Sequence, residues 1–543
     1  MIATVSKAQT ESSVDLAKYL DDAVLRYPEA CAVIGSDDST MSYKQLSDAA
    51  DQVAAFLDQK DVVMGDRVGI FMHKKPQTLA AIFGALRLGA VYVPVDVDSS
   101  ASRASTVFDN CHVRCILADS ESAAHLIQVA PHLQPRIIVI QATEEKASRA
   151  LQVRNVLSIG KRTTEKSEKE PNYPRGTPDA NHPAYILYTS GSSGIPKGVV
   201  ITHRNSVSFV EWASDFFRVT AKDQISSHAP FHFDLSIFDI YVSVKNGACI
   251  HLIDTDLAAS PRHLASFIAR RAITIWYSAP AILGILAEQG QKGHIPNQLR
   301  LVLFAGEVFP IPKLRQLMQL WPEADYFNLY GPTETNVCTV YQVPVPIPEN
   351  RLEPLSIGSP CTHCETMVVN EHLQPVPEGE SGQLCVSGDA VFAGYWNDQE
   401  RTAQRIFYLN GKYWYNTGDV VRSSAEGYIF MGRLDRMIKR HGYRIELDEI
   451  ESCLITHPKL SDSAVISTEI DGEVAISAFL VSSDPQLSLT ELNQYCHKRL
   501  ARYMLPDHFS CLPELPRTST GKTNYQFLKQ RFLEQRNHGK STR

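Results

Sequence analysis

Apolar residues fall at helical spacing in Asp15-LAKYLDDAVLRY, and Thr40-MSYKQL ends a short strand and opens a second helix. Strands and helices then alternate. Arg67-VGIFM is a β-branched and aromatic run, Leu79-AAIFGALRLG a helix closed by Gly89, and Val91-YVPVDV another short run. Ala184-YILY repeats the strand pattern and leads into a Gly/Ser-rich loop, after which the alternation resumes from 200 to 345. This alternation predicts α/β layers around largely parallel sheets. Beyond about 350 the texture changes to short strands with turns at Gly379, Gly382, Gly388 and Gly394, which predicts a β-rich subdomain. A small α/β unit over about 436–543 closes the chain, and no internal repeat is visible. Lys161-RTTEKSEKEPNYPRGTPDANHP, dense in charge and proline, reads as a solvated surface loop.

Composition narrows the classes of function. The 543 residues carry a net charge of −7, with 44% apolar and 21% charged residues, which is ordinary globular usage. There is no basic stripe for nucleic acid. The longest apolar candidate, Leu79 to Val95, is interrupted by Arg87 and Pro94, so no membrane span is expected. The N-terminal residues lack the basic-then-apolar order of a signal peptide, so a cytosolic enzyme is the expectation. Eleven scattered cysteines do not form a disulfide framework, and the lone Cys361-Thr-His-Cys364 has no second ligand pair for zinc.

The chemistry concentrates in a few segments. Tyr188-Thr-Ser-Gly-Ser-Ser-Gly-Ile-Pro-Lys-Gly198 follows a strand and combines glycines, hydroxyls and one lysine. Such a loop lets backbone and hydroxyl donors approach phosphate oxygens. It is not a Walker A loop, because no Gly-Lys-Ser/Thr occurs in it. In its full spelling, with Val199-VITHRN after it, the segment resembles the phosphate-loop signature of the adenylate-forming superfamily, which holds acyl-CoA synthetases, luciferases and adenylation domains of nonribosomal peptide synthetases. Further blocks follow in that superfamily's order: Phe233-DLSIFDIY, Asn328-LYGPTET, Tyr415-NTGD, Gly432-RLDRMIKRHGYRIE and Leu515-PRTSTGK.

The resemblance implies an α/β adenylate-forming fold. A large N-terminal domain over 1–434 would hold two α/β sheets and the β-rich subdomain at about 350–434. A small mobile α/β domain over 435–543 would swing about Asp435. It implies ATP and Mg2+. Thr189, Ser190, Gly191, Ser192, Ser193, Gly194 and Lys197 would meet the phosphates, and Gly306, Asn328, Tyr330, Gly331 and Thr333 the nucleotide, with Tyr330 stacking on adenine and Asn328 bonding its edge. Asp419 would hold the ribose hydroxyls, Arg433 would add a ribose or phosphate contact, and Glu334 would ligate magnesium. Lys522 would act as the catalytic lysine for adenylation. A second pose would bring in the Lys439–Arg444 segment and open a path for a thiol. The chemistry agrees with these residue types: two anions react, so cations and aimed donors must stabilise the transition state. Whether His232 or Phe233 lies beside the α-phosphate stays open.

Asp234 selects the acid. Its counterpart pairs with the α-ammonium of an amino acid, whereas an acyl or aryl acid would leave a buried carboxylate without a partner. The other implied pocket positions are Leu235, Phe238, Tyr277, Leu303, Ala305, Leu329, Val337 and Cys338. None is charged, so the expected substrate side chain is small and apolar. The set resembles standalone proline-activating ligases that load a free carrier protein in pyrrole- and anatoxin-type pathways. D-alanine ligases for a carrier protein share the FDLS-x-x-DIY spelling. An acyl-CoA or aryl-CoA ligase of the same fold and a non-catalytic relative are the remaining alternatives. Twenty-one residues follow Lys522, so the expected acceptor is the phosphopantetheine thiol of a separate carrier protein.

Overall fold

The computed structural model describes residues 14–540 apart from 143–150, 156–172, 190–195, 259, 291–297, 352–353, 434–435, 471, 483, 485–486 and 517–522. The expectations for Ser190, Gly191, Ser192, Ser193, Gly194, Asp435 and Lys522 therefore lie outside the described residues, as does the 161–172 part of the charged stretch.

Two large sheets form the first body. One runs Ser359–Pro360, Thr339–Val343, Asp325–Tyr330, Leu301–Ala305, Ile275–Ser278, Gln224–Ser227, Cys249–Leu252, Cys31–Ile34 and Thr40–Ser42. The other runs Gly394–Tyr395, Lys197–Thr202, Pro183–Thr189, Val91–Pro94, Arg67–Phe71, Cys115–Ala118, Ile137–Ala142 and Leu151–Asn155. The inner strands of both pair in parallel and the edges antiparallel. Helices cover them at the predicted places. Tyr43–Asp58 starts with a reciprocal cap between Ser42 and Gln45, and Pro76–Arg87 starts on proline. The two short runs read as strands, Arg67–Phe71 and Val91–Pro94, are inner strands whose side chains are almost all buried.

The predicted β-rich part is an antiparallel sheet of Cys364–Val369, Ser381–Gly388, Lys412–Ser424 and Ile406–Leu409, with Gly427–Arg433 paired to Lys412–Ser424. A two-stranded hairpin, Met437–Arg440 with Tyr443–Glu446, comes next. Its second strand runs straight into helix Leu447–Ile455. A three-stranded sheet of Leu460–Ile470, Glu473–Ser482 and His508–Cys511 completes the C-terminal part. That part has its own apolar clusters, built around Ile450, Val465, Ile476 and Met504 and around Ala464, Phe479 and Leu528. Among the described residues no helix is long and apolar enough to cross a membrane.

Candidate active site

Strand register explains why scattered apolar positions converge. In the parallel ladder Tyr277 pairs with Leu303, and Ala305 with Leu329. Side chains two apart on a strand share a face, so Leu303 and Ala305 present one wall with their neighbours Tyr277 and Leu329. Phe238 packs edge-on against Tyr277, with ring centres 5.6 Å apart. A helix begins at Ser236 and widens into a π-helical turn over Phe238–Val242. Such turns recur at functional sites.

A cleft opens on this wall. Asp234, Leu235, Tyr277, Ala305 and Val337 line it, together with Thr189, His232, Phe233, Gly306, Gly331 and Thr333. Phe238, Leu303, Leu329 and Cys338 are fully buried behind it. They shape the pocket through the residues in front of them. From the C-terminal part, Met437, Lys439, Gly442, Tyr443, Arg444 and Tyr503 complete the lining. The hairpin therefore sits inside the cleft, as in the second of the two poses that the sequence resemblance implies. Phe233 meets the hairpin through Tyr443, at 4.8 Å between ring centres, and Tyr443 stacks on Tyr503 at 3.8 Å.

The polar groups occupy distinct stations. Asp234 Oδ2 accepts a hydrogen bond of 2.7 Å from the Thr333 hydroxyl. Burial raises the pKa of its carboxyl, against the opposing pull of Thr333 and Lys439. Glu334 is completely buried. The Tyr395 hydroxyl donates to it at 2.7 Å, Arg444 Nη1 lies at 3.0 and 3.2 Å from its two oxygens, and Lys197 Nζ lies at 3.5 Å. Burial alone would raise this carboxyl, but Arg444 first and Lys197 second hold it well below the usual carboxylate range. Lys197 is itself lowered to about 8, by burial and then by Arg444. Asp419 is paired with Arg433 and accepts from the Tyr330 hydroxyl. Lys439 Nζ stands 5.3 Å from the Tyr330 ring centre, and burial lowers its pKa.

Two of the expected nucleotide residues carry bonds within the protein. Asn328 does not line the cleft; its amide donates to the Ser356 carbonyl at 2.8 Å and ties the strand to the following segment. Tyr330, expected to stack on adenine, is held through its hydroxyl by Asp419 and has Lys439 near its ring. Cys361 and Cys364 are free buried thiols, and Cys364 Sγ donates to the Cys338 carbonyl at 3.1 Å. Among the described residues no group of three or more His, Cys, Asp or Glu could hold a metal ion. For magnesium the available donors are the Glu334 carboxylate and the Thr189 hydroxyl, which is buried and has no hydrogen-bond partner among the described residues. That set fits an ion held chiefly by phosphate oxygens and water.

Sequence reasoning missed Tyr395, Tyr503 and Gly442. Tyr395 lies 61 residues from the Glu334 it serves, in a two-residue edge strand with no motif around it. Gly442 stood within a quoted block but was given no role. It adopts φ +83°, and a Cβ there would come within 2.9 Å of Ala279 Cβ.

Known proteins share the sequence and the fold. Residues 20–396 match the AMP-binding enzyme family and residues 449–522 its C-terminal domain. The L-proline–(L-prolyl-carrier protein) ligase of Pseudomonas fluorescens is 36% identical over 507 residues, covering 92% of this chain and 96% of the relative. A protein of the same name from Streptomyces coelicolor is 34% identical over 546 residues, covering 96% and 97%. The crystal structure of the Vibrio cholerae adenylation domain AlmE superposes with a TM-score of 0.79 at 23% identity, covering 96% of this chain and 98% of that one, and shows the same fold. The chain belongs to the AMP-binding enzyme family, represented over both its large N-terminal and its small C-terminal part.

Proposed function

We propose that this protein is an ATP-dependent, AMP-forming ligase that activates L-proline and passes it to the phosphopantetheine thiol of a separate carrier protein. The observation that carries the reading is the position of Asp234. Its carboxylate stands at the cleft beside Thr333, facing a wall of uncharged side chains. An α-ammonium satisfies such a carboxylate, whereas an acyl or aryl acid leaves it unpaired. The nearly full-length relatives whose names specify L-proline and a prolyl-carrier protein support the same choice.

In the first step the substrate carboxylate attacks the α-phosphorus of ATP and pyrophosphate leaves. Lys197 would face the negative charge that spreads in this transition state, and the family resemblance assigns the same task to the glycine-rich loop and Lys522. Magnesium, when bound, supplies further positive charge to the phosphates, and Glu334 with Thr189 would hold it. Asp419 would bind the ribose, with Arg433 and Tyr330 fixing its carboxylate. In the second step the thiol attacks the carbonyl of the aminoacyl adenylate, the C–O bond to phosphate breaks and AMP leaves. The hairpin pose serves this step, with Lys439 beside the adenylate and the Tyr443–Tyr503 stack lining the approach. The family resemblance would divide the chain into 1–434 and 435–543. Eleven free cysteines accord with a reducing cytosol.

The test is substrate-dependent ATP–pyrophosphate exchange across the amino acids, with D-alanine, fatty acids and benzoates included. A dominant L-proline signal is the expected result. A dominant D-alanine signal would reassign the substrate, and a signal confined to non-amino acids would overturn the role of Asp234.

A further inference from the structure

We infer that Arg103 and Glu449 form a latch between the two bodies that positions the C-terminal part for the thiol-transfer step; this rests on the two-pose cycle proposed above. Arg103 lies in the first turn of helix Ala101–Asn110, where the Ser100 hydroxyl caps its backbone N–H at 3.2 Å. Glu449 lies in the first turn of helix Leu447–Ile455. Arg103 Nη1 donates to Glu449 Oε1 across 346 residues of chain. The side chains are only 11% and 3% exposed. A buried pair of this kind is costly to break on one side, because the remaining charge is left without compensation.

Three features make this a device of one pose and not part of either core. First, the helices belong to different apolar clusters. Ala101, Ala104, Val107 and Phe108 pack with the second large sheet, whereas Leu447, Ile450 and Leu454 pack within the C-terminal part. Second, the strand that carries Arg444 runs directly into the helix that carries Glu449. Withdrawing the hairpin from the cleft therefore withdraws Glu449 from Arg103. Third, neither Arg103 nor Glu449 lines the cleft, so the pair touches no reacting group. Arg103 is thus a positioning residue: its partner arrives with the hairpin and leaves with it.

Arg103→Ala, Glu449→Ala, the double variant and Arg103→Lys separate this from a general structural role. Two rates are measured in each: amino-acid-dependent ATP–pyrophosphate exchange, and thioester formation with pantetheine as acceptor. Each alanine variant is expected to lose about tenfold or more in thioester formation while exchange stays within about twofold. The double variant should lose no more than the worse single, and Arg103→Lys should retain most of the transfer rate. Glu449→Gln, uncharged and of the same shape, repeats the test should Glu449→Ala fold poorly. Equal losses in both rates, an unchanged transfer rate, or losses that multiply in the double variant would each overturn the latch. The outcome is independent of substrate identity, because the ratio is taken with whichever acid supports exchange. Absence of exchange with any amino acid in the unaltered protein would instead strike the functional reading.

Discussion

Arg444 Nη1 reaches both oxygens of Glu334, at 3.0 and 3.2 Å, and so joins the second strand of the C-terminal hairpin to a fully buried carboxylate of the N-terminal body. The pair exists because the hairpin is in. Arg444→Ala leaves the fully buried Glu334 with Lys197 as its remaining cation within 4 Å among the described residues. Breaking one side of a buried pair costs about 3–5 kcal/mol, and here the cost falls on the hairpin pose. Thioester formation should drop by about two orders of magnitude or more, well beyond any loss in exchange. Comparison of the two rates checks this, and equal losses would show that Arg444 serves both steps alike.

Asp234→Ala removes the α-ammonium partner while leaving the Thr333 hydroxyl that it accepts from. The exchange reaction should lose about 3–5 kcal/mol of transition-state stabilisation, or two to three orders of magnitude in kcat/KM for L-proline. Asp234→Asn, which keeps the shape and drops the charge, should lose nearly as much. Unaltered kinetics in either variant would remove Asp234 from the substrate site.

Legibility differed by kind of feature. The alternation of apolar runs located the inner strands Arg67–Phe71 and Val91–Pro94, because a strand buried on both faces needs a continuous apolar run. The pocket positions were legible from the family resemblance, and register explains their convergence: Tyr277 with Leu303, Ala305 with Leu329. Partner groups were illegible. Nothing around Tyr395 predicts its bond to Glu334, 61 residues away in the same body, and nothing local joins Arg103 to Glu449, a contact that arises only when the two bodies meet. Asn328 carries a bond that its motif does not announce: its amide donates to the Ser356 carbonyl, a partner 28 residues away.

Pocket size gives a prediction for specificity. Ala305 is on the cleft wall and Phe238 is behind it, edge-on to Tyr277. Ala305→Val adds two methyl groups' worth of bulk, at about 1–3 kcal/mol per group for a substrate that must yield the space. Exchange with L-proline should fall relative to L-alanine by about tenfold or more. An unchanged ratio would place the substrate side chain elsewhere in the cleft.

Gly442 limits the hairpin tip. It adopts φ +83°, and an added Cβ lies 2.9 Å from Ala279 Cβ. Gly442→Val is doubly unfavourable, because a β-branched residue resists positive φ and the tip has no room. Thioester formation with pantetheine should fall by about two orders of magnitude, and exchange by far less. Retention of the transfer rate would mean that the tip need not be seated for the thiol to react.

Buried histidines set the acid limit of stability. Burial lowers His203, His251 and His363 to about 4 each, and His228 to about 3, with Lys74 adding to the last. Their unfolded value is about 6.5, so between about 6.5 and 4 the unfolded chain binds protons that the folded chain refuses. Stability from these groups is fully present above about 6.5 and is lost as pH falls toward 4. Each contributes up to about 1.4 kcal/mol per pH unit, so the four together give a slope of roughly 5 kcal/mol per unit near pH 5. Thermal midpoints measured from pH 7.5 down to 4.5 should therefore fall steeply below about 6.5. His363→Asn should make the slope shallower, by up to about 1.4 kcal/mol per pH unit. Its Nε2 lies 3.1 Å from the Val337 carbonyl, so its protonation also acts on the substrate wall. A flat profile across this range would show that these imidazoles reach water in the folded chain.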